Sequence, residues 1–281
     1  MRFFAGTRHS VGDLFRRLWD DKRSRAVLIV LPIVLTVAAL APYARGISED
    51  IMFAIDPTAE RGYRYGTLHM SGNNPHLYDI KRAQKYLEAG RELDPTFPVI
   101  NYQLARIYFI KGHYVRSLMS TNAEIMNAGG DPIPQVYYMK GLIEGTTGDY
   151  DTAAADYKRY LELSPESKNG WAAYNDYAWV LLKGGKTKEA LDAINAGLKL
   201  YPGNAWLLTI QTSTLFELGR LQEALSTGEE AIRAADALTE AEWRSAYPGN
   251  NPSLTPHGLR TIRSSSRENL EKIKAAVAAE K

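Results

Sequence analysis

Apolar and small side chains recur every three or four residues along 78–236, the spacing of an amphipathic α-helix. The pattern is interrupted at Gly112, Gly148, Gly185 and Gly219, which are 36, 37 and 34 residues apart. A period of this length is typical of stacked helical hairpins. The sequence therefore predicts an array of antiparallel helix pairs.

The pattern defines the helices of each pair. The segment 78–95 is predicted to be the second helix of a first unit, whose first helix is not evident. The complete hairpins are predicted at 99–111 with 114–127, 135–146 with 150–163, 170–183 with 187–200, and 205–218 with 221–234. Glycine at each turn allows a positive φ, and Pro95, Pro165 and Pro202 end three of the units because proline cannot continue a helix.

Small and large side chains alternate where the two helices of a unit should cross. In the third unit, Gly141 and Ala153 let the backbones approach, and Tyr137, Tyr157 and Tyr160 fill the space beside them. A single hairpin buries too little apolar surface to be stable alone, so the units must stack. We expect one continuous core along the array.

These residues give the chain a resemblance to the tetratricopeptide repeat family. The best matches are Tyr137, Gly141, Gly148, Asp149, Tyr150, Ala153, Tyr157 and Pro165, followed by Gly185, Ala190, Ile194, Gly197 and Pro202. Ser117, Ser71 and long spacers near Gly129 and Lys168 depart from the pattern. The resemblance implies an all-α fold, a right-handed superhelix of stacked antiparallel helical hairpins, with a concave groove that binds a protein or peptide.

The resemblance also implies which residues line that groove, because the first helix of each hairpin faces it. The predicted partner-binding residues are Tyr102, Arg106, Phe109, Tyr138, Leu142, Asn175, Asp176, Trp179, Lys183, Thr209 and Ser213. Aromatic anchors among a few polar groups suit a peptide or a partner helix. The alternative is that Phe109, Leu142 and Trp179 only pack between units. Some family members grip a carboxylate with Lys and Asn at fixed groove positions, and the residues here do not reproduce that clamp.

An uncharged run of 19 residues, 26–44, lies between Arg25 and Arg45. As a helix it would be roughly 28 Å long, enough to cross the hydrocarbon core of a bilayer. The sequence predicts a single transmembrane helix preceding the repeats; a buried core helix and a signal peptide cleaved after Ala39-Leu40-Ala41 are the alternatives. Seven basic residues within 1–25 predict a cytoplasmic N-terminus in the cell (inner) membrane, with the repeats extracytoplasmic.

Two further segments flank the repeats. The segment 45–77 has no clear period, and we predict an irregular linker with a short helix near 49–54. The segment 237–281 is predicted to hold capping helices, because Thr239–Glu242 and Ser265–Glu268 have the S/T-x-x-E pattern of a helix start. The last helix either caps the final hairpin or binds a partner, and the sequence leaves both open.

Composition excludes several function classes. The chain has no cysteine, and beyond residue 25 its charge balance is −2, which leaves no basic stripe for nucleic acid. Its five histidines lack metal-ligand spacing, and no phosphate-binding loop or nucleophile elbow is present. We expect no enzymatic activity, no cofactor and no metal.

The function that fits these observations is a membrane-anchored scaffold. It would bind a protein or peptide in its concave groove and assist assembly of a membrane-associated complex. An extracytoplasmic chaperone for unfolded chains and an accessory subunit of an envelope glycan or cell-wall enzyme system are the alternatives. The sequence does not indicate an oligomeric state.

Overall fold

The computed structural model describes residues 19, 22–72, 74–130, 132–164, 170–246 and 251–280; within 22–44 it describes the side chains only of 30–33, 35 and 36. Over these residues the chain is helical and contains no strand. It divides into two units, 1–56 and 57–281. The fold class predicted from the sequence, an all-α helical solenoid, is confirmed for the second unit.

The first unit contains one long helix, α1 (Lys22–Ile55), of 34 residues. The predicted span 26–44 and the predicted short helix near 49–54 both lie in its continuous backbone, and Arg45 Nε donates to Glu49 Oε1 at 3.1 Å one turn later. The basic segment 1–25 lies largely outside the described residues. In the described part of the chain, no helix is both long enough and apolar enough to cross a membrane.

The described part of the second unit forms five antiparallel hairpins followed by a helical cap. The hairpins are α2 (Ala59–Leu68) with α3 (Ile80–Leu93), α4 (Ile100–Ile110) with α5 (Tyr114–Asn127), α6 (Gln135–Thr147) with α7 (Tyr150–Leu163), α8 (Gly170–Lys183) with α9 (Thr187–Leu200), and α10 (Ala205–Glu217) with α11 (Leu221–Ala237). Each second helix packs on its own partner and on the first helix of the next hairpin. The hairpins therefore stack into a solenoid.

The turns and caps follow the local sequence. Gly148 adopts a φ of 92°, and the Asp149 side chain accepts from the backbone N–H of Thr152 at 3.3 Å. Asp149 is thus a helix cap, as its position at the turn predicts. Asp151 instead accepts from Lys186 Nζ at 2.6 Å, which joins two adjacent hairpins. Ser117, which departs from the repeat pattern, is buried, and its hydroxyl donates to the carbonyl of Ala105 at 2.7 Å. This polar group is therefore satisfied within its own hairpin.

The prediction of an irregular linker over 45–77 is wrong for most of its length, because α1 extends to Ile55 and α2 is a regular helix. Thr58 caps α2 by accepting from the backbone N–H of Arg61. Gly62 lies so close to α3 that an added Cβ would be 2.6 Å from the carbonyl oxygen of Tyr86 and 2.8 Å from Gly90 Cα. The glycines that look like helix breakers in the sequence are instead the contact surface of the first hairpin.

The C-terminal cap consists of α12 (Glu240–Ala246), a 3₁₀ turn (Pro252–Leu254) and α13 (Thr255–Ala279). The first predicted capping box is confirmed, because the Thr239 backbone N–H donates to Glu242 Oε2 at 2.8 Å and the Glu242 N–H donates to Thr239 Oγ1 at 3.2 Å. The second is wrong, because Ser265 lies inside α13, which begins at Thr255. The S-x-x-E motif at Ser265–Glu268 therefore lies in the interior of α13 rather than at its start.

Helix α13 packs on α11 and, less extensively, on α10, as each first helix packs on the hairpin before it. Leu270 lies over Gly228, and Ile273 joins the buried cluster with Leu191, Leu215 and Ala224. Helix α13 therefore occupies the position that the first helix of a sixth hairpin would have. Of the two interpretations left open by the sequence, this is the cap.

An ionic cluster lies between α6 and α7. Lys140 Nζ is 2.8 Å from Asp156 Oδ2 and 3.7 Å from Glu144 Oε1. Burial, with the neighbouring Asp156 carboxylate adding to it, raises the pKa of Glu144 to about 8. Folding therefore favours neutral Glu144 at neutral pH, since an ionised carboxylate here would be poorly hydrated.

We expect Gly62→Ala to lower the free energy of unfolding by about 2 kcal/mol, because the new methyl group meets backbone atoms that cannot turn aside. The loss should exceed the gain of about 1 kcal/mol that alanine brings to a helix interior. Urea denaturation followed by circular dichroism measures the change, with the exposed Lys81→Ala on α3 as control. A Gly62→Ala protein as stable as the control would contradict this packing.

We expect stability to fall as pH rises from about 4.5 to about 8, because over this range folded Glu144 keeps a proton that the unfolded chain has released. Glu144→Gln should reduce this slope, to which a single proton can contribute at most about 1.4 kcal/mol per pH unit. Denaturation at several pH values measures the slope. The exposed Glu92→Gln is the control, and equal slopes in the two variants would refute the assignment.

Candidate functional site

The first helices α4, α6, α8 and α10 each contact the next, and they carry all of the residues predicted to line the groove. These residues fall into two sets. Those on α4 and α6, together with Asp176 on α8, are engaged in contacts within the solenoid. Those at Asn175, Trp179, Lys183, Thr209 and Ser213 line two adjoining cavities.

On α4, Tyr102 and Arg106 interact mainly with neighbours in the solenoid. The Arg106 guanidinium lies 5.9 Å from the Tyr102 ring centroid, and its Nη1 donates to Gln103 Oε1 at 2.8 Å. The backbone N–H of Tyr102 donates to Glu124 Oε2 on α5 at 3.2 Å. Burial raises the pKa of Tyr102, and the positive charge of Arg106 partly opposes that shift. The first two contacts lie within α4, and the hydrogen bond to Glu124 joins α4 to α5.

Phe109 and Leu142 pack between the second and third hairpins. Both lie against the buried cluster of Ala105, Met139 and Ile143, and the Phe109 ring centroid is 5.7 Å from that of Tyr114. Phe109 and Leu142 therefore pack between units, which is the alternative to a role in partner binding.

Tyr138 and Asp176 join the third hairpin to the fourth. The Tyr138 hydroxyl donates to Asp176 Oδ2 at 2.7 Å, and Asn175 Nδ2 donates to Asp176 Oδ1 at 3.0 Å. Burial raises the pKa of Asp176, although both hydrogen bonds favour its charged form. The carboxylate thus helps to fix the angle between α6 and α8.

The C-terminal groove, as we name it, is formed by α8, α10, α12 and α13 and contains two cavities. The larger has a volume of about 640 Å³ and is lined by Asn175, Trp179, Trp206, Thr209, Ile210, Ser213, Trp243, His257, Gly258, Thr261, Ile262 and Ser265. The smaller, of about 340 Å³, is lined by Trp179, Leu182, Lys183, Ile210, Ser213, Phe216, Glu217, Asn269, Lys272 and Ile273. Trp179, Ile210 and Ser213 line both, so the two cavities adjoin.

Trp179 is the most exposed of the three tryptophans that line the groove. It is 39% exposed, Tyr150 packs edge-on to it with ring centroids 6.0 Å apart, and Lys183 Nζ lies 6.0 Å from its ring centroid. Trp206 is held on the floor by stacking on the buried Trp171, at 4.4 Å between ring centroids. The groove therefore contains one exposed indole, that of Trp179, and one indole held in place by stacking, that of Trp206.

The wall opposite α8 comes from the C-terminal cap. Trp243 of α12 is buried with its ring against Gly258 of α13. The hydroxyls of Thr209 and Ser266 are 2.9 Å apart, and Asn269 Nδ2 donates to Ser213 Oγ at 2.9 Å. Thr209 and Ser213 therefore line the groove while also bonding to α13, a contact that the sequence did not predict.

Sequence reasoning missed groove residues of two kinds. Some lie on the first helices α8 and α10, and the others lie in the C-terminal cap. They are Leu182, Trp206, Ile210, Phe216 and Glu217 on the first helices, and Trp243, His257, Gly258, Thr261, Ile262, Ser265, Asn269, Lys272 and Ile273 in the cap. Trp206 could have been found, because it lies three residues before Thr209 on the same helical face. Nothing in the local sequence places Trp243 or His257 beside α8 and α10, since the chain first leaves the repeats and then returns.

Among the described residues, the larger cavity combines indole surface with hydroxyl and amide groups, and none of the residues that line it is acidic. Within the described residues no group of three His, Cys, Asp or Glu side chains is placed to hold a metal ion.

We expect Gly258→Ala to remove one wall of the groove, because the added methyl group would overlap the Trp243 ring, which must then leave its buried site. The expected cost is about 2 kcal/mol in the free energy of unfolding, together with a red shift of tryptophan fluorescence. The exposed Arg260→Ala, two residues along α13, is the control. An unshifted spectrum with unchanged stability would contradict the packing of α12 on α13.

A family model for the tetratricopeptide repeat matches residues 138–205, which span α6 to the start of α10. Among characterised proteins, the TPR repeat-containing protein YpiA of Bacillus subtilis (strain 168) is 25% identical over 162 residues. That match covers 56% of this chain and 36% of the relative, so the chain spans about a third of the relative's length.

Solved structures share the fold at low identity. YrrB, described as a TPR protein with an unusual peptide-binding site, has a TM-score of 0.54 at 19% identity and covers 67% of this chain and 93% of its own. PilW, described as a widely conserved type IV pilus biogenesis factor, has a TM-score of 0.56 at 14% identity, covering 79% and 92%. The described hairpins therefore form a solenoid of the tetratricopeptide repeat type, with the sequence signature of that repeat at 138–205.

Proposed function

We propose that this protein is a scaffold that binds a peptide segment of a partner protein in the C-terminal groove. The observation that carries the proposal is the 640 Å³ cavity walled by three tryptophans, one of which is 39% exposed. Exposed indole beside hydroxyl and amide groups supports binding of a partner, because large aromatic anchors supply contact area and polar groups fix orientation.

The length of the groove favours a peptide over a compact small molecule. Along α13 the lining residues run from His257 to Ile273, which is roughly 24 Å at the helical rise. An extended chain covers this distance with about seven residues. The fold type agrees, because proteins built from this repeat generally bind proteins or peptides and are generally not enzymes. The peptide-binding site named for YrrB belongs to that protein and supports the proposal only as an analogy.

We further propose that the scaffold is anchored to the cell (inner) membrane through 26–44, with the repeats on the extracytoplasmic side, where it assists assembly of a membrane-associated complex. The support is the uncharged sequence of that segment and the basic residues before it. Alkaline extraction of membranes tests the anchor: the full chain should stay in the pellet, and a chain lacking 26–44 should be released. Release of both would refute the anchor and leave the groove proposal standing.

The groove is tested by crosslinking the full chain in its own cells, purifying it and identifying the crosslinked proteins. We expect Trp179→Ala to reduce recovery of the partner about tenfold or more, the effect of removing a central aromatic anchor worth about 2 kcal/mol. Met119→Ala is the matched control, because Met119 is a large apolar residue that is 66% exposed on α5, away from the groove.

The crosslinked proteins also separate the alternatives. A single stoichiometric partner lost in Trp179→Ala supports the scaffold; if that partner is a glycan or cell-wall enzyme, the chain is its accessory subunit. Many unrelated proteins lost together would favour the extracytoplasmic chaperone. Recovery that is the same in both variants would contradict the groove as the binding site.

A further inference from the structure

We propose that the C-terminal groove selects an acidic peptide, one that places a large apolar or aromatic side chain in the larger cavity and a carboxylate in the smaller. This inference rests on the proposed function and adds the chemistry of its ligand. It follows from the different character of the two cavities and from the residues they share.

The described lining of the larger cavity offers no negative charge that would attract a cation. It contains three tryptophans, four hydroxyl side chains, an amide and His257, and none of these residues is acidic. Asp176, which follows Asn175 in the sequence, accepts hydrogen bonds from Tyr138 and Asn175 and is half-buried between α6 and α8. The larger cavity is therefore suited to an apolar side chain flanked by backbone amides, which the hydroxyl and amide groups can bind.

The smaller cavity carries a positive balance. Lys183, at the C-terminal end of α8, and Lys272, on α13, both line it, and Glu217 of α10 is the one acidic residue among its described lining. Neither lysine has an ion-pair partner within the described part of the chain, although most Arg side chains of the cap, such as Arg244 and Arg267, do. Two unpaired ammonium groups against one carboxylate favour a ligand that brings negative charge.

Trp179 couples the two cavities. Its ring lines both, and Lys183 Nζ lies 6.0 Å from the ring centroid, so the lysine is held beside the indole. A ligand whose apolar group contacts Trp179 therefore has its neighbouring residues within reach of Lys183. The preference for acid and the preference for an aromatic anchor should be properties of a single bound peptide.

The test uses the full chain in detergent and three fluorescein-labelled heptapeptides that share one Phe and a Gly-Ser spacer and end in two Asp, two Asn or two Lys. Each is also made in the reverse order, because the direction of the bound chain is open. Fluorescence anisotropy gives the dissociation constants. We expect the Asp peptide to bind roughly tenfold more tightly than the Asn peptide in one of the two orders, and this preference to shrink as salt rises to about 0.5 M.

Two variants locate the effect. Lys183→Glu/Lys272→Glu should abolish or reverse the preference for Asp, while Trp179→Ala should weaken all three peptides. Lys188→Glu/Lys199→Glu, on exposed positions of α9, is the matched control with the same change in net charge.

Equal affinity for Asp and Asn peptides, with binding still dependent on Trp179, would overturn this inference and leave the proposed function intact. Tightest binding by the Lys peptide, no binding by any peptide, or an equal effect of the control pair would also overturn it.

Discussion

The close packing of α9 between α8 and α10 is the contact on which the groove depends. A Cβ at Gly197 would be 2.8 Å from Tyr174 Cβ on α8 and 3.1 Å from Leu207 Cδ1 on α10, so only glycine allows the three helices to approach this closely. Their separation fixes the distance between Trp179 and Trp206. Protein interiors are close-packed, so neighbouring residues shift together. A change in the spacing of these helices would therefore displace several residues of the groove rather than one.

The same kind of contact closes the stack at its end. Leu270 of α13 lies over Gly228 of α11, which allows the last helix to occupy the position of another repeat. A solenoid needs such a cap, because its last hairpin would otherwise expose an apolar face. Here the cap has a second consequence, since it adds Trp243, His257 and Lys272 to a surface that the repeats alone would leave open on one side. The cap therefore both closes the stack and forms part of the C-terminal groove.

The hairpins were predictable because each signal is local. A glycine at the turn and a small residue three positions after the start of the next helix predict α5, α7 and α9, and the helical period predicts α8. The structure has all four helices with the predicted bounds. The second helix of the first hairpin was predicted, but its first helix, α2, was missed, because Gly62 and Gly66 have no local signature that separates a tight helix contact from a break. Of the groove, Trp179 and Lys183 follow from the helical period, whereas the contribution of α12 and α13 depends on where the chain returns in space. Periodicity carries no information on that path.

The most direct measurement is amide hydrogen exchange, by mass spectrometry, of the full chain alone and in its purified complex with the crosslink-identified partner. If the groove binds the partner, we expect slower exchange in the complex over α8, α10 and α13, the three helices that form most of the groove. We expect no change over α5, whose outer face carries the exposed Val115 and Met119. Protection confined to α5 or to the C-terminal end of α1, with α8, α10 and α13 unchanged, would contradict the assignment of the groove as the binding site.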